Sequence, residues 1–245
     1  MASAIFPAGL LDALRQAGRV VFLTGSGVSA ESGVPTFRDA LTGLWARFRP
    51  EELATPEAFQ RDPQLVWDWY RERRRQVAAV LPNPAHYAIA ALEARLPETL
   101  LVTQNVDGLH RRAGSADAVE FHGNLFSNRC RACDHVAPQP DPELAAPPPC
   151  PLCGALMGPG VVWFGEAIPA LALERAWRAA GEADIILAIG TSGLVTPAAA
   201  LPDVARQGGA LVVEVNLHPT PLSAQADFVM TGPAALTLPA LAAAL

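Results

Sequence analysis

Every cysteine of this 245-residue chain falls in one of two CxxC pairs, Cys130-x2-Cys133 and Cys150-x2-Cys153, with sixteen residues between them. Four thiolates at that spacing can close around one tetrahedral ion and leave no position for water, so the pattern predicts one structural Zn2+. Disulfides are the competing use. They are disfavoured because the first eleven residues show no basic segment followed by a long apolar stretch, which makes the cytoplasm the expected compartment. The metal loop also limits the fold around it. Residues 129–157 carry Pro138, Pro140, Pro142, Pro147, Pro148 and Pro149, too many for an ordinary helix, so a small turn-rich module is expected.

The remaining sequence alternates as α/β proteins do. Short aliphatic or β-branched runs at 19–23, 99–102, 185–189 and 210–215 end in polar or glycine-rich turns, the mark of buried parallel strands. Helical stretches at 84–95 and 170–180 lie between them, so the fold class expected is a Rossmann-like doubly wound parallel sheet. The length suits one such domain with a smaller, discontinuous zinc-binding and helical module. We expect the large domain from 1–37, 83–128 and 158–245, the helical part of the module at 38–82 and its zinc-binding part at 129–157. A helix beginning at Pro63 with Asp62 as its cap, and a closing helix at 234–245, complete this reading. No apolar run is long enough to cross a bilayer. A formal charge of −6 is opposite to the footprint of a nucleic-acid binder, and Arg129 and Arg131 are the only basic residues of the zinc loop. Neither membrane nor nucleic acid is therefore expected as a partner; the oligomeric state is open, with a monomer as the default.

Three segments could carry chemistry. The first run leads into Thr24-Gly25-Ser26-Gly27-Val28-Ser29-Ala30, a dinucleotide fingerprint with Ala in the third glycine's place. Gly25 and Gly27 would let the backbone approach a pyrophosphate, and the following turn would offer free N–H groups; a plain tight turn is the alternative. No acidic residue closes a second strand about 20 positions on, which disfavours an ordinary dehydrogenase. Gln104, Asn105 and Asp107 follow the second run, where α/β sheets bind ligands, or else form a polar turn. His122 ends a short run at 118–121, and a lone histidine there is as a rule structural.

Together these segments resemble the sirtuin family. GSGVSAESGVPTFRD (25–39), TQNVDGLH (103–110), FHG (121–123), the CxxC pairs, VVWFGE (161–166) and GTS (190–192) stand in the family's order across essentially the whole chain. The chain is similar to the bacterial and mitochondrial desuccinylase-like branch. The resemblance implies an NAD-dependent protein-lysine deacylase, in which NAD and an acylated-lysine protein or peptide meet between the large domain and the module. By that likeness Gly25, Gly27, Gly190, Thr191, Ser192, Asn216 and the backbone near Ala234 would hold the adenosine half of NAD, with Ser26, Ser29 and Ala30 also in the cofactor site. Phe37, Arg38, Gln104, Asn105 and Asp107 would surround the nicotinamide and its ribose. Val161, Val162, Trp163 and Phe164 would pair with the peptide as an added strand. His122 would be the catalytic base, with Asn105 and Asp107 beside it. Nicotinamide leaves, the acyl oxygen attacks the ribose, and a histidine available at neutral pH deprotonates a ribose hydroxyl, giving lysine, nicotinamide and O-acyl-ADP-ribose.

Three departures from the family pattern stand out: Ser26 for Ala, Gly158 where many relatives have Arg before the Pro, and a 38–45 loop one residue longer. Two other functions share these features, an ADP-ribosyltransferase using the same NAD pocket and a non-enzymatic zinc-ribbon binding module.

The helix from Pro63 bears on the acyl group. Val66, Trp69, Tyr70, Arg73 and Val77 share a stripe, so Arg73 is expected to turn inward and Arg71, Arg74 and Arg75 to be solvated. An inward Arg needs an anionic or hydrogen-bonding partner, unless it snorkels to water. By the resemblance, Tyr70-x-x-Arg73 matches the acyl-carboxylate motif of desuccinylating sirtuins and Ala54 the small residue that widens their pocket. Succinyl and malonyl groups are then implied substrates alongside acetyl.

Overall fold

The structure, a computed structural model, describes residues 6–34, 50–139 and 141–245. Its strands are β1 (Arg19–Thr24), β2 (Glu98–Thr103), β3 (Ala118–Glu120), β4 (Gly123–Cys130), β5 (Val136–Pro138), β6 (Met157–Val161), β7 (Ile185–Ile189), β8 (Leu211–Asn216) and β9 (Phe228–Thr231). Six of them form one sheet in the order β3-β2-β1-β7-β8-β9, parallel throughout. The order β5-β4-β6 makes a second, antiparallel sheet. The four expected strands form the centre of the large sheet. Its edge strands β3 and β9 add three and four residues, runs too short to stand out in a sequence.

The helices are α1 (Leu10–Gln16), α2 (Gly27–Ala30), α3 (Pro50–Leu53), α4 (Pro56–Arg61), α5 (Pro63–Ala79), α6 (Pro84–Glu93), α7 (Leu109–Arg112), α8 (Ala170–Gly181), α9 (Leu201–Gln207) and α10 (Ala234–Ala244). Alternation along the strands assigns their two faces. Val20 and Phe22 of β1 pack with Ile89 and Leu92 of α6 and Leu238 and Leu241 of α10. Val21 and Leu23 pack with Ala176 and Ala180 of α8 and Leu201 and Ala205 of α9. With both faces covered, every residue of β7 is buried. Each fully buried aliphatic side chain contributes about 1.5–3 kcal/mol relative to exposure. No helix among the described residues is long and apolar enough to cross a membrane.

The ladder between β4 and β6 runs from Cys130↔Met157 to Gly123↔Val161. Residues 123–128 and 158–161, expected in the large domain, therefore pair within the small sheet, because the strands that flank the metal loop continue past it.

Helix α5 starts as its sequence dictates: the Asp62 carboxylate accepts from the Leu65 N–H at 2.9 Å, with Pro63 in the first turn. Val66, Trp69, Tyr70 and Val77 face Leu125, Val161 and Trp163. Arg74 departs from expectation. It is 1% exposed, its guanidinium lies 4.5 Å over the Trp67 ring, and it donates to the Leu125 carbonyl (2.7 Å) and the Asn128 Oδ1 (3.0 Å). The small sheet wraps two sides of α5, whereas a single apolar stripe assumes one. An irregularity in β4 between Gly123 and Asn128 interrupts the ladder where these acceptors lie. Arg71 and Arg75 keep to the outer side, paired with Asp68 and Glu143.

Candidate active site and metal centre

Strand order reverses between β1 and β7, and in open α/β sheets ligands bind in the crevice beyond the carboxyl ends at such a point. The loops that leave β1, β2, β3, β7 and β8 there carry most of the residues singled out from the sequence, and hydrogen bonds tie them together. Asn105 Nδ2 donates to the Gly25 carbonyl (3.1 Å), Gln104 Nε2 to Thr191 Oγ1 (2.9 Å) and Asn216 Nδ2 to the Thr191 carbonyl (2.8 Å). The turn after β1 bonds to that after β7 through Gly27 N–H and the Gly190 carbonyl, 2.9 Å.

That contact explains the glycines. A Cβ at Gly27 would lie 2.8 Å from Gly190 Cα, and one at Gly190, where φ is +58°, would lie 2.5 Å from the Val28 nitrogen. Most of the N–H groups expected to be free are engaged: those of Gly27, Val28, Ser29 and Ala30 all have main-chain acceptors, and among the turn's N–H groups only that of the exposed Ser26 has none among the described residues. The glycines serve first to seat the two turns on each other. Ser26 and Ala30 are exposed at this edge and Ser192 is half-buried, while Ala234 is buried at the start of α10. Phe37 and Arg38 lie outside the described residues, as does the 38–45 loop.

Below the crevice sits a buried polar network. Asn83 N–H donates to His86 Nδ1 (3.2 Å), which makes Nε2 the protonated nitrogen facing Ser29 Oγ at 3.3 Å. Ser29 also accepts from Asn105 Nδ2 (3.0 Å) and donates to Asp107 Oδ2 (2.7 Å), while Asp107 Oδ1 accepts from Leu109 N–H (2.9 Å). Both lone pairs and the proton of Ser29 are thus used. Both carboxylate oxygens of Asp107 and the amide nitrogen of Asn105 are thus engaged within the chain. His86 was not anticipated; its only sequence signal is its place three residues after the helix-capping Asn83.

Burial lowers His86 to about 4, and burial with the neighbouring His86 lowers His110 to about 3. Unfolded, each histidine takes up a proton near pH 6.5; folded, neither does until far lower pH. Stability is therefore present above about pH 6.5 and is lost as pH falls below it. Between pH 7 and 5.5 the pair should cost about 2.5 kcal/mol, partly offset by Asp107, whose carboxyl burial holds above its ordinary range. Urea unfolding midpoints at the two pH values check this; an unchanged or higher midpoint at pH 5.5 would refute it.

His122 follows β3 and is half-buried. Its Nδ1 lies 2.9 Å from the Gln104 carbonyl, which can only accept, so Nδ1 carries the proton and Nε2 is free to take one. Burial lowers its pKa, so the ring is neutral at pH 7. Gly123 has to be glycine: its φ is +80° and a Cβ would lie 2.1 Å from the Gly160 carbonyl oxygen.

The four cysteines converge as expected. Their Sγ atoms all lie within 4.8 Å of one another, with Cys130–Cys153 at 3.5 Å and Cys133–Cys150 at 3.7 Å. Sulfurs about 2.3 Å from a tetrahedral zinc stand about 3.8 Å apart, so the set fits Zn2+ and is too open for disulfides. Each knuckle turns back through a left-handed residue, Asp134 at φ 57° and Gly154 at φ 76°.

The residues expected at the acyl end also come together. Tyr70 is buried and its oxygen accepts from Trp163 Nε1 at 3.0 Å. Burial pushes the phenol far above its ordinary pKa, so it keeps a proton to donate. Arg73 is half-buried with its guanidinium 5.2 Å over the Trp69 ring, and no ion pair or hydrogen bond to another described residue is found for it. The Ala54 carbonyl accepts from Phe164 N–H at 3.0 Å. Val162 N–H is bonded to the His122 carbonyl and Trp163 N–H to Glu166, both at 2.8 Å. The donors of Val162, Trp163 and Phe164 are thus engaged within the chain.

Known proteins share these features. The model of the Sir2 family matches residues 25–197. The NAD-dependent protein deacylase of Ralstonia nicotianae is 54% identical, covering 99% of this chain and 98% of that protein. NAD-dependent protein deacylase 1 of Pseudomonas aeruginosa is 52% identical over 95% of this chain and 96% of its own length. Among solved structures, a Sir2 homolog–NAD complex superposes with a TM-score of 0.91 at 44% identity, covering 99% of this chain and 95% of that one.

Proposed function

The chain belongs to the Sir2 family and is an NAD-dependent protein deacylase, and on that premise we propose that His122 is its base and that acidic acyl groups are among its substrates. Bound NAD supplies, once nicotinamide has left, the electrophilic ribose and the hydroxyl to which the acyl group moves. Gly190, Thr191, Ser192 and Asn216 would hold its adenosine half, and Gln104, Asn105 and Asp107 its nicotinamide side. The four thiolates would hold a structural Zn2+ remote from any proton transfer. A cytoplasmic location suits cysteines kept reduced for metal.

One observation carries the assignment of His122: the Gln104 carbonyl fixes the Nδ1–H tautomer and leaves Nε2 to accept a proton. No other described histidine offers this: His86 and His110 are buried in the network beneath, and among the described residues no carbonyl partner is found for the ring of His135 in the zinc loop or of His218 after β8. Mass spectrometry of the products from NAD and acetyl-, succinyl- and malonyl-lysine peptides tests the reading. Deacylation gives peptide that has lost its acyl group together with O-acyl-ADP-ribose. ADP-ribose attached to protein, with acyl groups intact, would identify an ADP-ribosyltransferase instead.

Support for acidic acyl groups comes from Arg73 and Tyr70. A half-buried guanidinium without a described anionic partner, one helical turn from a buried phenol that keeps its proton, is complementary to a carboxylate. Ala54 is the small residue packed in the same cluster as Tyr70. Arg73→Met and Tyr70→Phe should lower kcat/KM for a succinyl-lysine peptide by about 10–150-fold, the worth of a charge-assisted pair of roughly 1.5–3 kcal/mol, and change acetyl turnover much less. Equal losses on both peptides would remove the acidic-acyl preference and leave the deacylase standing.

A further inference from the structure

Arg131 lies between two metal ligands, Cys130 and Cys133, where a side chain usually points to solvent, yet its contacts are with the loop after β6. The guanidinium stacks 3.7 Å from the centre of the Trp163 ring. Nη1 donates to both oxygens of Glu166, at 2.7 and 2.9 Å, and Nη2 to the carbonyls of Pro159 (2.7 Å) and Val161 (3.2 Å). Glu166 in turn accepts from the Trp163 N–H at 2.8 Å, and the far end of the same residue, its indole N–H, reaches Tyr70. A continuous path therefore runs from the first knuckle through Arg131 and Trp163 to the phenol of the acyl wall.

Gly158 makes this path possible. A Cβ there would lie 3.1 Å from Trp163 Cη2 and 3.2 Å from Arg131 Nε, so any side chain at 158 would press on both members of the stack.

We propose that Arg131 is a positioning residue for the acyl-lysine substrate: it holds Trp163 and Glu166 in place and thereby sets the hydroxyl of Tyr70. This rests on reading Tyr70 as part of the acyl wall. Because a cysteine ligand stands one residue before it and another two residues after it, the metal centre and the acyl wall form one mechanical unit. Zinc then contributes to substrate recognition without approaching the substrate.

The test uses the whole 15N-labelled enzyme and two readouts, exchange of the Trp163 indole N–H with solvent and KM for an acyl-lysine peptide. Trp163→Phe identifies the resonance. Arg131→Met, which keeps the stem and loses the fork, should speed that exchange and raise peptide KM, each by about ten-fold, as expected when one partner of a partly buried, bidentate charge pair is removed. KM for NAD should stay within about two-fold. Gly158→Ala, with Arg131 still present, should move both readouts the same way by a smaller factor. In a Tyr70→Phe background the effect of Arg131→Met on peptide KM should shrink markedly, because the path ends at that hydroxyl. Unchanged indole exchange in Arg131→Met overturns the proposal, as does a parallel rise of KM for NAD and peptide, or an undiminished effect in Tyr70→Phe. If Arg131→Met fails to fold or to retain zinc, Gly158→Ala decides: unchanged exchange and KM there overturn it. A wild type that turns over no acylated peptide defeats the deacylase reading separately, and indole exchange still tests whether Arg131 holds Trp163.

Discussion

His122→Ala is expected to lower turnover of an acyl-lysine peptide by about 10²–10⁴-fold, the usual cost of losing a general base. Fold and metal content should survive. The ring makes one polar contact, with the Gln104 carbonyl, and is half-buried at the rim of the crevice, outside the two sheet cores. Leaving that carbonyl without a donor costs about 1–3 kcal/mol at most, and water can reach it. Zinc content and thermal midpoint should therefore stay near those of the wild type while kcat falls. The pH profile provides a second check: burial lowers the pKa of His122, so the rate should hold below pH 6.5 before it drops. Turnover by His122→Ala within about ten-fold of wild type would show that the base lies elsewhere.

Cys150→Ala should have an effect of different character, loss of the small unit. The core around the ligands consists of Cys130, Cys150 and Met157, with Ala137 and Ala155 against it. So little apolar burial cannot hold two knuckles together, whereas a structural zinc contributes on the order of 10 kcal/mol. Cys150 is 3% exposed and closes the second knuckle on the first. Without it the metal loop loses its anchor, and the bonds it supplies to α5, from Trp67 Nε1 to the Leu144 carbonyl (2.7 Å) and Gln64 Nε2 to the Ala145 carbonyl (2.8 Å), go with it. The expected result is protein with well under one zinc per chain, a lowered melting temperature and no deacylation. Chelation of the wild type should reproduce it. Pure, fully active wild type without zinc, or a Cys150→Ala protein that melts like wild type, would contradict the structural role.

The parts of this molecule legible in its sequence are those set by short-range rules. Strand runs show as unbroken apolar stretches, the start of α5 is written in Asp62-Pro63, and four thiols in two knuckles have few uses besides a metal. Contacts between distant segments were harder to read. Arg74 looked solvated because helical periodicity describes a helix with one covered side, and nothing in 63–79 announces that β4 will supply acceptors to the other. The glycines after β1 suggested room for a phosphate; their nearest neighbour is another glycine turn 163 to 165 positions on. Arg131 and Glu166 were passed over because each belongs to a motif already explained by something else, a metal knuckle and a peptide loop. Residues that join two motifs are invisible when motifs are read singly.

The way α5 is finished has a consequence for how this protein is made. Its buried cation, Arg74, meets its acceptors 51 and 54 residues later in the chain, at Leu125 and Asn128, Trp67 meets its acceptor 77 residues later, and the apolar face waits for Leu125, Val161 and Trp163. At translation rates of roughly 5–20 residues per second, the helix leaves the ribosome several seconds before the strands that cover it. During that interval Trp67, Trp69 and Tyr70 are presented to the cell beside an arginine whose acceptors do not yet exist. The exposure ends only when β4, the metal loop and the run through Trp163 have followed the helix out of the ribosome.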